Sequence, residues 1–165
     1  MANSFYLDAS ALAKRYVPER GFAQVNSILD TVPAHRIHVL NIGTGEVMSI
    51  LVRKRNSGVI LFAEFAKAVA TFRAEIVHAG TVSKMPVTNR LVTASFPLIL
   101  AHSINSTDAL ILKSALAITR KLRRTGDDLV LVASDQRLLR AAQAESLTAF
   151  NPETQDHAAL AALMA

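Results

Sequence analysis

The feature that most constrains the fold is an uninterrupted apolar run, LVLVA, at residues 129–133. It consists of Leu, Val and Ala without a charge, which is typical of a parallel strand buried on both faces of a sheet. Three other short segments have strand character, at residues 4–8, 36–40 and 85–88. Because helical patterns separate these segments, we predict an α/β fold, a three-layer α/β/α sandwich around a parallel sheet of four or five strands.

Apolar residues at helical spacing fill the stretches between the strands. The clearest predicted helix covers residues 59–77, where apolar side chains recur at intervals of three and four. We predict Thr44, Asn89 and either Ser106 or Thr107 as N-caps of three more helices, because their side chains can accept hydrogen bonds from free backbone amides. Other helices are predicted over residues 9–16, 22–29, 90–101, 108–123 and 136–144.

The length of 165 residues suits one domain, which we predict over residues 1–155, with residues 156–165 as a C-terminal tail or short helix. The absence of cysteine excludes disulfides, thiolate nucleophiles and cysteine-ligated zinc. Charged residues interrupt the N-terminal segment where a signal peptide would be apolar, and no run approaches the roughly 18 apolar residues of a membrane span. We therefore expect a cytoplasmic protein.

The chain is basic, with 18 Lys and Arg against 13 Asp and Glu and a net charge of +5. A positive excess favours phosphate-bearing partners through long-range attraction and counterion release. If some of the acids cluster in one place, the remaining surface is more basic still. The charge alone indicates a class of partner and no particular one.

Four acidic residues stand where strands end or helices begin. Asp8 and Asp135 follow predicted strands, and Glu46 and Asp108 fall in the first turns of predicted helices. Open parallel sheets bind ligands beyond the carboxyl ends of their strands, so all four could meet at one edge. Clustered carboxylates repel one another by about 4 kcal/mol per close pair near a protein surface. A hard cation, Mg²⁺ or Mn²⁺, would offset this repulsion, although spacing alone is equally compatible with helix caps and solvated charges.

The sequence around these acids is more specific than their spacing. The segments YLDASALAKRY, GEVMSILVRKR, STDALILKSAL and LVASDQRLLRAA, followed by FNPE at residues 150–153, resemble in this order the acidic motifs of PIN-domain nucleases, especially VapC-type toxins. The resemblance covers most of the chain and implies a PIN-like fold. It also implies that Asp8, Glu46, Asp108 and Asp135 hold one or two Mg²⁺ or Mn²⁺ ions and cleave RNA.

The same resemblance implies a metal-dependent endoribonuclease that is the toxin of a type II toxin–antitoxin pair. It further implies a homodimer and a cognate antitoxin that covers the acidic site. Ser10 matches the small hydroxyl residue often found two positions after the first Asp of these nucleases. We expect Ser10 to orient Asp8, to contact a phosphate or simply to cap a helix.

One segment departs from the family pattern, and several alternatives stay open. Asn41, Gly43, Thr44 and Gly45 replace the more apolar or hydroxyl-rich residues usual before this Glu, which predicts a looser backbone there. Residues 53–55, with Lys14 and Arg15, could contact an RNA backbone or form a solvated helix face. The Phe-rich segment 59–77 could line a dimer or antitoxin groove or pack in the core. The whole chain could also be a PIN-like RNA-binding or partner-binding module with little nuclease activity.

Overall fold

A computed structural model describes residues 2–165 and contains one parallel sheet of five strands. The strands are β1 (Asn3–Leu7), β2 (Ile37–Leu40), β3 (Ser83–Met85), β4 (Asp128–Val132) and β5 (Thr148–Phe150). Their order across the sheet is β3-β2-β1-β4-β5. The chain therefore starts at the centre of the sheet, builds one half outward and returns to build the other.

Helices connect the strands and cover both faces of the sheet. The α-helices of residues 2–165 are α1 (Ala9–Ala13), α2 (Phe22–Thr31), α3 (Asn41–Asn56), α4 (Phe62–Phe72), α5 (Asn89–His102), α6 (Ser106–Leu122), α7 (Gln136–Ala144) and α8 (His157–Met164). Short 3₁₀ helices cover Ala34–Arg36 and Arg123–Thr125, and a π-helical turn, Arg73–Val77, follows α4.

Alternating side chains of the strands point to opposite faces and build two apolar cores. Phe5 and Leu7 of β1 pack with helices α1 to α4 and α8, whereas Tyr6 between them packs with α5, α6 and α7. The strand predicted from the LVLVA run divides in the same way, with Val130 in the first core and Leu131 in the second. The architecture is therefore the predicted α/β/α sandwich.

The neighbouring strands β1 and β4 lead the chain to opposite faces of this sandwich. Their register runs from Asn3 opposite Asp128 to Leu7 opposite Val132. After β1 the chain enters α1 on one face, and after β4 it enters α7 on the other. A crevice at the carboxyl ends of two such strands is the usual ligand site of an open α/β sheet.

Helix α3 begins earlier than predicted. It starts at Asn41, directly after β2, and the glycine-rich segment before Glu46 is helical. Thr44 lies inside the helix and its hydroxyl donates to the Asn41 carbonyl at 2.7 Å, so the prediction that Thr44 is the N-cap was wrong. Val47 and Leu51 are fully buried. Burial of this face stabilises a helix whose glycines cost about 1 kcal/mol each relative to alanine.

Two other predicted N-caps are also displaced. Thr88 caps α5 and Asn105 caps α6, through side chains that accept from backbone amides three residues on. The predicted caps, Asn89 and either Ser106 or Thr107, lie within the helices instead. In each case an adjacent residue that also favours the N-cap position holds it.

The Phe-rich segment is helical over a shorter range than predicted, because α4 begins at Phe62 and ends in the π-helical turn. Phe72 and Ile76 are buried in the first core, whereas Leu61 and Phe62 are 70% and 74% exposed. The C-terminal end of this segment thus packs in the core, whereas its N-terminal end is exposed to solvent. Strand β5 was not specifically predicted, and α8 lies within residues 156–165 with Leu160 buried.

Among the helices of residues 2–165, none has both the length and the apolar character that a membrane crossing requires.

Candidate functional site

Asp8 is positioned by the end of the central strand β1 and the start of α1. Its carboxylate accepts from the backbone amides of Ala9, at 2.7 Å, and Ser10, at 3.3 Å, and from the Ser10 hydroxyl. The residue is 8% exposed. Burial raises the pKa of Asp8, its hydrogen bonds with Ser10 and Ala9 lower it, and the charge of Asp135 raises it further. The Ser10 hydroxyl thus holds the Asp8 carboxylate, and its part in a functional site stays a prediction.

Asp135 follows β4 by three residues and caps α7. Its Oδ1 accepts from the backbone amides of Arg137, at 2.7 Å, and Leu138, at 3.1 Å. The side chain is exposed. Asp8 and Asp135 are therefore both helix caps, so the capping interpretation is correct for two of the four acids and does not conflict with a further role.

Asp108 is the third residue of α6, where the free amides of the first turn tolerate negative charge. The N-cap Asn105 holds it in two ways: the Asn105 side chain accepts from the Asp108 amide and donates to Asp108 Oδ2, both at 2.8 Å. Burial, and then the charges of Asp8, Asp135 and Glu46, raise the pKa of Asp108 to about 6. The charges of the other three predicted acids therefore all contribute to the raised pKa of Asp108.

Glu46 is the sixth residue of α3 and does not lie in the first turn, as had been predicted. It is half-buried, and burial followed by the charge of Asp8 raises its pKa. The Thr107 side chain and the charge of Arg53 act in the opposite direction. The prediction of a looser backbone before Glu46 was wrong, because a regular helix presents this side chain.

The four acids lie at the carboxyl edge of the sheet, beside the point between β1 and β4 where the strand order reverses. They are near enough for the charges of Asp8, Asp135 and Glu46 to act on Asp108. An open pocket of about 310 Å³ at this edge is lined by Asp8, Ser10, Glu46, Ser49 and Arg53, together with Ala9 and Ile50. Helix capping explains why Asp8 and Asp135 have their positions. It does not explain why the pKa values of Asp8, Glu46 and Asp108 are all raised at one edge of the sheet.

A hard cation suits this set of donors, which consists of carboxylate oxygens backed by hydroxyl groups. Burial, and then the charge of at least one other acid of the set, raises the pKa of each of Asp8, Glu46 and Asp108. In residues 2–165, however, no three Asp, Glu or His side chains stand close enough together to enclose an ion. The chemistry of the site fits Mg²⁺ or Mn²⁺, and the role of the four acids as its ligands stays a prediction.

The basic residues considered for RNA contact do not share one environment. Lys14 is buried and forms ion pairs with Glu19 and Glu153. Arg15 pairs with Asp30 and Glu75. These two side chains hold the protein together and are not free to bind RNA.

Two polar residues beside the acids, Asn105 and Thr107, were not predicted from the sequence. Asn105 orients Asp108, and Thr107 favours the charged form of Glu46. Asn105 had a recognisable signal, since a capping residue followed three positions later by an acid is typical of a helix start. Thr107 had none, because its proximity to Glu46 depends on how α3 and α6 pack.

The fold is similar to that of two solved structures. Protein PAE2754 from Pyrobaculum aerophilum superposes with a TM-score of 0.62 at 18% sequence identity, over 99% of this chain and 96% of that one. FitAcB from Neisseria gonorrhoeae superposes with a TM-score of 0.57, also at 18% identity, over 92% of this chain and 99% of that one. No family model and no curated protein matches the sequence. The similarity confirms the PIN-like three-layer fold.

Proposed function

We propose that this chain is an endoribonuclease that depends on Mg²⁺ or Mn²⁺ and hydrolyses RNA phosphodiester bonds. The observation that carries the proposal is the position of four carboxylates at the switch point of a PIN-like sheet, where burial, and then the charges of Asp8, Asp135 and Glu46, raise the pKa of Asp108 to about 6. Uncompensated like charges in a crevice are typical of a site that binds a cation. The ordered acidic motifs support the same conclusion.

The residues of the chain have separable tasks in this proposal. Asp8, Glu46, Asp108 and Asp135 would hold the ions, and a bound ion would supply an activated water and stabilise the leaving oxygen. Ser10 and the first amides of α1 fix the Asp8 carboxylate, and Asn105 fixes that of Asp108. Because these supports exist before any ion binds, the site loses little side-chain freedom on binding.

We further propose that the protein is the toxin of a type II toxin–antitoxin pair, works as a homodimer and is covered by a cognate antitoxin. Support comes from the motif resemblance, the PIN-like fold and the exposed apolar residues at the start of α4, Leu61 and Phe62. Inducing the wild-type gene should arrest growth of a host cell, and Asp108→Asn should relieve the arrest. Co-expression of the product of a neighbouring gene for a small DNA-binding protein should relieve it as well.

The nuclease proposal is tested by isothermal titration with Mn²⁺ and by cleavage of a fluorogenic single-stranded RNA. Asp8→Asn and Asp108→Asn should weaken Mn²⁺ binding and slow cleavage by at least about 100-fold, since even the loss of an outer-shell partner costs 10- to 100-fold. Asparagine has nearly the same shape as aspartate, keeps the bond from Asn105 at position 108 and that from the Ala9 amide at position 8, and loses only the bond from the Ser10 amide, so the variants should fold.

Asp127→Asn is the matched control, because Asp127 precedes β4 and so lies at the opposite edge of the sheet, where it only accepts from the Ala2 amide. It should leave Mn²⁺ binding and cleavage unchanged. Cleavage that survives in both site variants would reject the assignment of the site.

One observation favours a second candidate, a PIN-like RNA-binding module with little nuclease activity. The acids of residues 2–165 do not close around an ion as the side chains stand. Such a module would bind RNA equally well in Mn²⁺ and in EDTA and would not cleave it. The same titration and cleavage assay therefore separates the two functions.

A further inference from the structure

Three consecutive basic residues end α3, and their environments differ. Lys54 forms an ion pair with Glu19. The guanidinium of Arg55 lies 4.8 Å from the centre of the Phe65 ring and donates to the Asn56 side chain at 2.9 Å. Both charges are therefore engaged within the protein, on the side of α3 away from the acidic pocket.

Arg53, the first of the three, lines the pocket with Asp8, Ser10 and Glu46. Glu46, Ser49 and Arg53 are spaced at three and four residues on α3, which places them on one face of the helix. Helical side chains lean towards the N-terminus, so Arg53 leans towards the turn that carries Glu46. Arg53 is also near enough to Glu46 for its positive charge to lower the pKa of the Glu46 carboxyl group.

The Arg53 guanidinium is exposed and makes no ion pair or hydrogen bond with any side chain in the described part of the chain, residues 2–165. An RNA strand that approaches four carboxylates meets strong repulsion, even when an ion offsets part of their charge. A free guanidinium at the rim counters this repulsion and matches a phosphate with two parallel hydrogen bonds.

We infer that Arg53 binds a phosphate of the RNA strand that enters the acidic pocket, and that it is the one member of the basic triplet with this role. The inference rests on the proposed nuclease function, which supplies the substrate. Of the three basic residues, only Arg53 contacts the substrate, and Lys54 and Arg55 do not.

The test compares Arg53→Gln with Arg55→Gln, a matched control with the same loss of charge two residues away on the same helix. Binding of a fluorescein-labelled single-stranded RNA is measured by anisotropy over a salt series in EDTA, where no cleavage occurs. Arg53→Gln should weaken binding by about tenfold and reduce the slope of log affinity against log salt by about 0.7, the value for one phosphate contact on a single strand. Arg55→Gln should change neither.

Kinetics with Mn²⁺ provide a second readout. Arg53→Gln should raise KM with little change in kcat, because a contact to a phosphate outside the reacting bond binds the substrate and the transition state equally. Arg53→Lys should recover the salt slope and only part of the affinity, since an ammonium keeps the charge and loses the paired geometry. Mn²⁺ affinity should not fall in Arg53→Gln, because a cation has been removed beside the site.

Equal losses in Arg53→Gln and Arg55→Gln, or a wild-type protein that binds no RNA, would overturn the inference. A role limited to offsetting the charge of Glu46 would also overturn it, and would appear as unchanged RNA affinity and salt slope in Arg53→Gln. Failure of the nuclease proposal is distinguishable: no variant, nor the wild type, would cleave RNA in Mn²⁺, while Arg53→Gln alone would still lose RNA binding.

Discussion

Two clusters of charged side chains differ in how their charges are combined: one brings like charges together, and the other pairs opposite charges. At the carboxyl edge of the sheet, Asp8, Glu46, Asp108 and Asp135 bring like charges together, and burial followed by these charges raises the pKa of Asp8, Glu46 and Asp108. Behind α1, a second cluster pairs opposite charges, with Lys14 between Glu19 and Glu153 and Lys54 on Glu19. We call this the lysine–glutamate network.

The two clusters have opposite effects on the stability of the fold. In the lysine–glutamate network, Lys14 is nearly buried and lowers the pKa of Glu153, so each charge stabilises the other. In the acidic cluster the like charges oppose one another, since those of Asp8, Asp135 and Glu46 raise the pKa of Asp108. Such a cluster costs stability, and arrangements of this kind are found mainly at functional sites.

The two clusters also respond to pH with opposite signs. The folded-state pKa of Glu153 lies below its ordinary value of 4.5, so its contribution to stability is present above that pH and is lost on acidification. The folded-state pKa of Asp108, about 6, lies above its ordinary value of 3.8. Between these two values the folded state binds more protons than the unfolded state, so stability falls as the pH rises through this window.

The largest effect on stability is expected from breaking the lysine–glutamate network. Lys14→Met should lower the free energy of unfolding by about 3 kcal/mol, because it removes a buried partner from two carboxylates and leaves one of them, Glu153, without its 2.6 Å hydrogen bond. Urea unfolding at neutral pH measures the change. The exposed Lys67 of α4 offers the control, since Lys67→Met should stay within about 0.5 kcal/mol of wild type. Equal losses in the two variants would mean that the network does not stabilise the fold.

A cation should convert the acidic cluster from a cost into a source of stability. Mn²⁺ at about 100 times its dissociation constant should raise the free energy of unfolding by about 2.7 kcal/mol, by mass action alone. The increase should disappear in Asp108→Asn and remain in Asp127→Asn, and thermal unfolding with and without Mn²⁺ detects it. A melting temperature that does not respond to Mn²⁺ in the wild type would reject the site.

The smallest effect is expected from Asp108→Asn in the absence of metal. At neutral pH this variant should be more stable than the wild type by about 1 kcal/mol, a figure reduced for solvent screening because Asp108 is only half-buried. The gain should shrink as the pH falls from about 7 towards 4, since protonation then removes the same repulsion from the wild type. Urea unfolding across this range measures the slope, and an equal gain at both ends would contradict the assigned cause.

Much of this arrangement could be predicted because its determinants are local. The parallel sheet follows from short apolar strands that alternate with helices, and Asp8 and Asp135 follow from their places just beyond strand ends. The helix starts were harder, since adjacent Ser, Thr and Asn residues cap equally well and packing selects among them. The sequence predicts a loose backbone at the glycine-rich start of α3, but this segment is helical. Burial of Val47 and Leu51, which stabilises the helix, cannot be read from the glycines themselves.

The lysine–glutamate network and the role of Arg53 depend on contacts that no local pattern contains. Lys14 and Glu153 are 139 residues apart, and nothing in the residues around Lys14 distinguishes it from an exposed helical lysine. Helical spacing places Arg53 on the face of α3 that carries Glu46, but it does not reveal that Lys54 pairs with Glu19 or that Arg55 lies on the Phe65 ring. Those two contacts depend on how α3 packs against its neighbours.

The central position of β1 has a consequence for the order of synthesis. Its partner β4 pairs Asp128 with Asn3, and the neighbouring residues Ala2 and Asp127 are 125 positions apart. A ribosome must therefore complete most of the chain before Asp8 and Asp135 can meet. Such distant pairing slows folding, and it means that a nascent chain has no assembled acidic cluster. Under the proposed nuclease function, activity would therefore require synthesis of the chain at least as far as Asp135.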